Sequence, residues 1–203
     1  MNILAIDTSV GVTVAVQRID GQIFEASLDS HGIQGELTAT LVNQVLEQAG
    51  ITTGQVTDVV CGVGPGPFTG LRVGIATAEV FAYALGIEIH AICSLDAVAY
   101  DFGSPCVVVT NARRKELYWA KYGLVRESQP QVNLPTEIPP SDLPFVGPGV
   151  ELYPEIVSGT NLPLRAGALA EIFASGQAQL VPLEPMYLRK PDAQEPGIRK
   201  PVL

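Results

Sequence analysis

Residues 59–85 place the strongest constraint on the fold. Val59-Val60-Cys61-Gly62-Val63 is an apolar run of strand type, and Leu71 to Leu85 has the length and composition of a helix. Between them stands Gly64-Pro65-Gly66-Pro67-Phe68-Thr69-Gly70. A buried strand that turns sharply into a helix is the building step of an α/β sheet protein. Glycine-rich corners of this kind can offer backbone N–H groups to an anion. This one lacks the lysine of a P-loop and the spacing of a dinucleotide fingerprint. Pro65 and Pro67 also remove donors and fix φ. The composition therefore favours a rigid corner over a phosphate cradle. Gly64, Gly66 and Gly70 are able to take positive φ. Thr69 is placed to cap the helix, and Phe68 is expected to plug a pocket and hold the turn.

The helix after the corner carries Leu71, Val73, Ile75, Ala76, Ala78, Val80, Phe81, Ala82, Ala84 and Leu85 around its whole circumference. A helix apolar on all sides is buried on more than one. One side packs on a sheet; the other needs a second helix, in this chain or in another. A helix predicted over Glu36 to Ala49 has its own stripe of Leu37, Leu41, Val42, Val45 and Leu46. Small residues such as Ala76 allow close approach. Two arrangements remain open: a pair closed within one monomer, or a pair that presents a shared surface. The apolar runs break before the ~20 residues of a membrane span, so no membrane association is expected.

The amino terminus reads as a second strand-and-turn unit. Ile3-Leu4-Ala5-Ile6 is a buried strand that ends in Asp7-Thr8-Ser9. Val12 to Val16 and Gln22 to Leu28 alternate, with the turn signal Asp20-Gly21 between them. Asp7, Thr8 and Ser9 have two readings. An acidic, hydroxyl-bearing loop can approach a phosphate or its metal. It can equally satisfy its own backbone N–H groups as a local turn.

Charge and the reactive residue types narrow the chemistry. The chain has 21 acidic and 12 basic residues and a net charge of −9. Direct binding of RNA needs Lys and Arg to displace counterions, so RNA contact by this chain alone is not expected. Cys61, Cys93 and Cys106 lie in apolar stretches without paired spacing, as buried reduced thiols of a cytosolic protein do. No basic flank precedes the opening strand, so no signal peptide is expected. His31 and His90 are the only histidines, too few and too far apart for a histidine metal site. No Gly-x-Ser-x-Gly elbow or His-Glu-x-x-His is present. Asn111-Ala112-Arg113-Arg114-Lys115 reads as a charged turn between two strands, with contact to tRNA or to an acidic partner as the sharper alternative.

Several of these residues resemble one family. Ile3-Leu4-Ala5-Ile6-Asp7-Thr8-Ser9 and the central Gly-Pro-Gly-x-Phe-Thr-Gly-Leu-Arg-x-Gly, here residues 64–74, resemble the bacterial TsaB proteins. So do Ser94-Leu95-Asp96-Ala97, residues 111–118 and Pro185-Met186-Tyr187-Leu188-Arg189. Asn111 stands where the family has aspartate, and His31 is displaced from the family's usual position before Gly35-Glu36. The resemblance implies a two-lobed α/β fold of the actin/Hsp70 (ribonuclease H-like) type, with mixed sheets flanked by helices. It implies a non-catalytic subunit that pairs with the catalytic subunit TsaD in making N6-threonylcarbamoyladenosine in tRNA. The ATPase TsaE joins the pair, and the chain pairs with itself when alone. Contact with tRNA runs through the complex. No cofactor and no metal are implied. Glu36, Leu37, Leu41, Val45, Arg72, Ile75, Ala76 and Glu79 would carry the partner surface. The alternative is a small nucleotide-binding enzyme that uses the Asp7, Thr8, Ser9 loop.

The expected organisation is a first lobe over residues 1–102, a smaller second lobe over 103–189, and an extended or disordered tail over 190–203. Arg126 to Pro144, with five prolines, is expected to run as an extended excursion from the second lobe.

Overall fold

The computed structural model describes residues 1–28 and 34–189. The expectations for His31 and for the tail beyond Arg189 lie outside the described residues. Two five-stranded sheets form the framework. The first contains β1 (Ile3–Asp7), β2 (Val12–Gln17), β3 (Ile23–Leu28), β4 (Asp58–Gly62) and β5 (Glu88–Ile92), in the order β3-β2-β1-β4-β5. β2 is antiparallel to both β1 and β3, whereas β4 is parallel to β1 and β5. The second contains β6 (Cys106–Asn111), β7 (Leu117–Tyr122), β8 (Gln131–Asn133), β9 (Phe145–Val146) and β10 (Gly159–Thr160), in the order β8-β7-β6-β9-β10. Its pairing is again antiparallel on the hairpin side and parallel on the other. Strand for strand, the second sheet repeats the first. The amino-acid sequence shows no repeat; the duplication lies in the pairing. This is the two-lobed α/β fold that the resemblance implies.

Burial follows the period-2 alternation of strands. Leu4, Ile6, Val14, Val16, Val59 and Cys61 form one face of the first sheet, covered by α1 (Gln34–Ala49) and α2 (Phe68–Leu85). Ile3, Ala5, Ala15 and Val60 form the other, covered by α4 (Ala166–Ala174). Alanines on both the sheet and α4 let backbone approach backbone. α3 (Ser94–Phe102) bridges the layers: Leu95 and Val98 pack on Cys106, Val108, Ala120 and Tyr122 of the second sheet. Among the described residues no α-helix covers the outer face of that sheet. Val107, Val109, Leu117 and Trp119 are covered by Ile138, Val150 and Val157 from the proline-rich excursion and the segment after β9.

Two sequence expectations change. The helix after the corner begins at Phe68 with extended Pro67 as its cap, so Thr69 sits inside the first turn and caps nothing. Proline's preset φ makes it a natural entry to a helix. Among Gly64, Gly66 and Gly70 only Gly64 takes positive φ, at 104°. By length and composition alone α2 would suffice to cross a bilayer; in the fold Leu71, Ile75, Ala78 and Ala82 are buried.

The described end of the chain does not stay with the second sheet. α4 lies on β1 and β2. Beyond it Val181 donates its N–H to the Ala91 carbonyl at 3.0 Å, and Met186 donates to the Val63 carbonyl at 2.8 Å. Leu169 is fully buried in this joint. Leu169→Ala is expected to lower the unfolding free energy by about 2–5 kcal/mol. The shift of the denaturant midpoint measures it, and an unchanged midpoint would show that α4 contributes little to the joint.

Candidate functional site

Asp7 ends β1 and is enclosed by protein. Its Oδ1 accepts the Ser9 N–H at 2.8 Å and the Ser9 hydroxyl at 2.6 Å. Its Oδ2 accepts the Ser94 hydroxyl. Ser94 Oγ in turn accepts the Gly64 N–H at 2.9 Å, so the carboxylate is tied through α3 to the glycine corner. A Cβ at Gly62 would overlap Asp7 Oδ2. Burial pushes the Asp7 carboxyl above the usual carboxylate range, against the serine hydrogen bonds that pull it down. Thr8 donates its hydroxyl to the Gly70 carbonyl at 2.7 Å, and a Cβ at Gly74 would overlap its Oγ1. The polar atoms of Asp7, Thr8 and Ser9 named here all serve internal bonds. Nothing in the sequence around Ser94 signals that it reaches back across 87 positions to Asp7.

The other buried polar residue of that helix has a parallel task. Asp96 accepts the Tyr122 hydroxyl at 2.7 Å and pairs with Arg126 at 3.3 Å. It thus ties α3 to the second sheet. Burial raises the Asp96 carboxyl despite the Arg126 guanidinium beside it. Burial also pushes the Cys93 thiol up to about 12 and the Cys106 thiol to about 11, which leaves both inert as nucleophiles.

The corner meets the second sheet and the returning carboxy-terminal segment. Phe68 does not plug a pocket. It is 49% exposed and stacks on Tyr187 with ring centroids 4.9 Å apart. The Arg72 guanidinium lies 3.9 Å from the Phe68 centroid, and its Nε donates to the Tyr187 hydroxyl at 2.8 Å. Opposite stands the turn between β6 and β7. Arg113, Arg114 and Lys115 take φ values of 58°, 51° and 66°. Left-handed backbone costs a non-glycine residue roughly 1–2 kcal/mol, and here three occur in a row without a glycine. Asn111 supports the turn by accepting the Arg113 N–H at 2.7 Å, so asparagine serves where the family has aspartate. Arg189 pairs with Glu116 at the turn's far end. Gly66, Phe68, Arg113, Arg114, Tyr187 and Arg189 are among the walls of a cavity of about 520 Å³.

The predicted partner surface divides in two. Leu41, Val45 and Ile75 point inward and belong to the core under the first sheet, so they cannot contact another chain; Leu37 is half-buried. Glu36, Arg72, Ala76 and Glu79 are exposed. The sequence reading missed Ala39 and Asn43 of α1 and Val80 and Tyr83 of α2. Val80 and Tyr83 are 68% and 91% exposed, large apolar groups on the outer face of α2. Ala39, Val42, Asn43, Ala76, Thr77, Val80 and Phe81 line an open groove of about 420 Å³ between the two helices. Helix periodicity found the stripe but assigned its most apolar members to the surface, when burial in the monomer claims those first.

Two mixed sheets on one plan, flanked by helices, define a two-lobed actin/Hsp70-like fold. YeaZ from Pseudomonas aeruginosa superimposes with a TM-score of 0.78 at 24% identity, over 92% of this chain and 99% of that one. A family model described as TsaD: tRNA N6-adenosine threonylcarbamoyltransferase matches residues 35–134. Uncharacterized proteins of Mycobacterium leprae and Mycobacterium tuberculosis are each 37% identical across 95% of this chain. The chain spans 56% of the length of the first and 93% of the second. The tRNA threonylcarbamoyladenosine biosynthesis protein TsaB of Escherichia coli is 26% identical over 222 residues, covering 93% of this chain and 95% of its own length. The chain belongs to the TsaB family.

Proposed function

We propose that this chain is a non-catalytic subunit in the synthesis of N6-threonylcarbamoyladenosine in tRNA and that it works by pairing with a TsaD-type enzyme. The name of the Escherichia coli relative places that protein in this pathway. The observation that carries the reading is the outer face of α2, where Val80 and Tyr83 stand exposed beside the groove with α1. A contiguous exposed apolar patch of this kind marks an interaction surface. The non-catalytic part rests on Asp7, whose two carboxylate oxygens both accept hydrogen bonds from serines. The same helix pair serves a homodimer when the partner is absent.

In this reading the partner transfers the threonylcarbamoyl group to the adenosine beside the anticodon. This subunit binds one arrangement of the partner's lobes better than others and so shifts its population toward the competent one. A TsaE-type ATPase joins the pair, and the complex works in the cytoplasm. At a net charge of −9, most contact with tRNA falls to the partner.

The test combines the purified chain with a TsaD-type enzyme from the same source. Light scattering gives the mass of the mixture, and nucleoside mass spectrometry gives the modified adenosine. A heterodimer is expected, with modification that needs both proteins and survives Asp7→Asn in this chain. Modification by this chain alone, or a mixture whose masses stay separate, would overturn the reading.

A further inference from the structure

We infer that a cavity along one face of α3 binds a free α-amino acid, its carboxylate on Arg126 and its ammonium on Asp96. Asp96, Ala99, Tyr100 and Gly103 line this cavity of about 320 Å³. Their spacing of three and four positions puts them on one face of the helix, and Gly103 is its C-cap. The facing walls come from the end of β7, the residues just after it, and the end of α4. No wall residue is shared with the cavity at the glycine corner or with the groove between α1 and α2.

The ion pair at the wall is the first observation. The Arg126 and Asp96 side chains are 9% and 10% exposed. A pair so far out of water is unfavourable unless further hydrogen bonds complete it. Arg126 has five side-chain N–H donors. Its Nη1 donates to Asp96 Oδ1 at 3.3 Å, and the Cys93 sulfur is its other side-chain partner. Among the described residues, no nitrogen of Arg126 is sealed off without a partner; the donors not spent on protein open into the cavity that Arg126 lines. Such a planar fork matches a carboxylate. Asp96 stands beside it, so a simple anion meets repulsion there and a simple cation meets Arg126. An α-amino acid carries both charges on one carbon and answers both. The backbone of Arg126 is already fixed, bridged to Tyr122 and bonded through its N–H to the Gln179 side chain at 3.2 Å. The remaining walls are the second observation. Ala99, Val125 and Ile172 offer apolar surface to a side chain, and Gln177 adds an amide. The volume lies at the small end of ligand cavities, roughly 300–1,000 Å³. The inference goes beyond the pairing reading and does not depend on it.

Calorimetric titration of the full chain with L-leucine and with L-threonine tests it, one probe with an apolar and one with a short polar side chain. Binding of at least one is expected. N-acetyl-L-leucine lacks the ammonium and L-leucinamide lacks the carboxylate. Each is expected to bind roughly tenfold to a hundredfold more weakly than L-leucine, or more weakly still. The double variant Asp96→Asn, Arg126→Gln removes both charges together and so leaves no lone buried charge. It is expected to lose binding by roughly a hundredfold or more. Ser104 is exposed on the cavity wall, so Ser104→Trp fills the space without touching the pair. It should keep the wild-type melting temperature and weaken binding roughly tenfold or more. If the double variant does not fold, Ser104→Trp and the two blocked ligands decide. The inference is overturned if neither amino acid binds at about 10 mM, if the blocked ligands bind as L-leucine does, or if Ser104→Trp or the folded double variant binds as wild type does. Light scattering with the TsaD-type enzyme is read separately: Ser104→Trp should still assemble, so loss of one reading leaves the other standing.

Discussion

Ala76→Arg is expected to leave this chain folded and to abolish its assembly with a TsaD-type partner. Ala76 is exposed on α2 and lines the groove with Val80 and Phe81. In the monomer an arginine there extends into solvent and disturbs nothing in the core. Across a helix-to-helix interface it buries a charge without a counter-charge, which costs several kcal/mol. Affinity should fall by roughly a hundredfold or more. Val45→Ala makes the contrast, because Val45 is fully buried under the first sheet. It should lower stability and leave the affinity of the folded fraction intact. Light scattering of mixtures, with circular dichroism as the check on folding, decides between them. An Ala76→Arg chain that still forms the wild-type complex at equal concentration would remove α2 from the interface.

Asp7→Ala is expected to destabilise the chain by about 2–4 kcal/mol, because it strands the buried Ser9 N–H and the Ser94 hydroxyl without an acceptor. Asp7→Asn keeps an acceptor for Ser9 and should cost far less. The two variants also differ from wild type in their response to pH. Burial raises the Asp7 carboxyl in the folded state, so the folded chain holds this proton more tightly than the unfolded one. The native state then binds the extra proton between the ordinary carboxylate value of about 4 and the raised folded value. Within that window stability falls as pH rises. The contribution is complete below the window and lost above it. Asp7→Asn cannot ionise and lacks this component. Wild type should therefore lose stability relative to Asp7→Asn as pH rises through the window, with Asp96 common to both and cancelling. Denaturant midpoints for the pair across this range test the point. Parallel curves would mean that Asp7 titrates alike in the folded and unfolded chains.

Much of the fold was legible because it is local. The strand alternation at residues 12–28, the apolar strand at 59–63 and the helical periodicity after it all stand where periodicity puts them. β10 has only two residues, too short for any period to register. The place of α4 on the first sheet depends on packing across more than a hundred residues. The corner was legible as a rigid turn, and its link to Asp7 through Ser94 was not, since a serine at a helix start is common. The basic turn showed its charge and hid its backbone, for three non-glycine residues at positive φ have no sequence signature. The outer face of α2 was half visible: Ala76 and Glu79 were found, while Val80 and Tyr83 were passed over among the helix's many apolar residues.

The return of α4 to the first sheet has a consequence in time. β5 ends at Ile92 and α4 begins at Ala166. While a ribosome makes the intervening residues, one face of the first sheet has strands but no helical cover. At ~5–20 residues per second this interval lasts roughly 4–15 s. For that period Ile3, Ala5, Ala15 and Val60 are exposed to whatever a nascent chain meets. Small alanines among them keep the waiting face less sticky than a leucine-rich one. The protein therefore covers this face of its first sheet only after the strands of its second have been made, so its folding is ordered differently from its sequence.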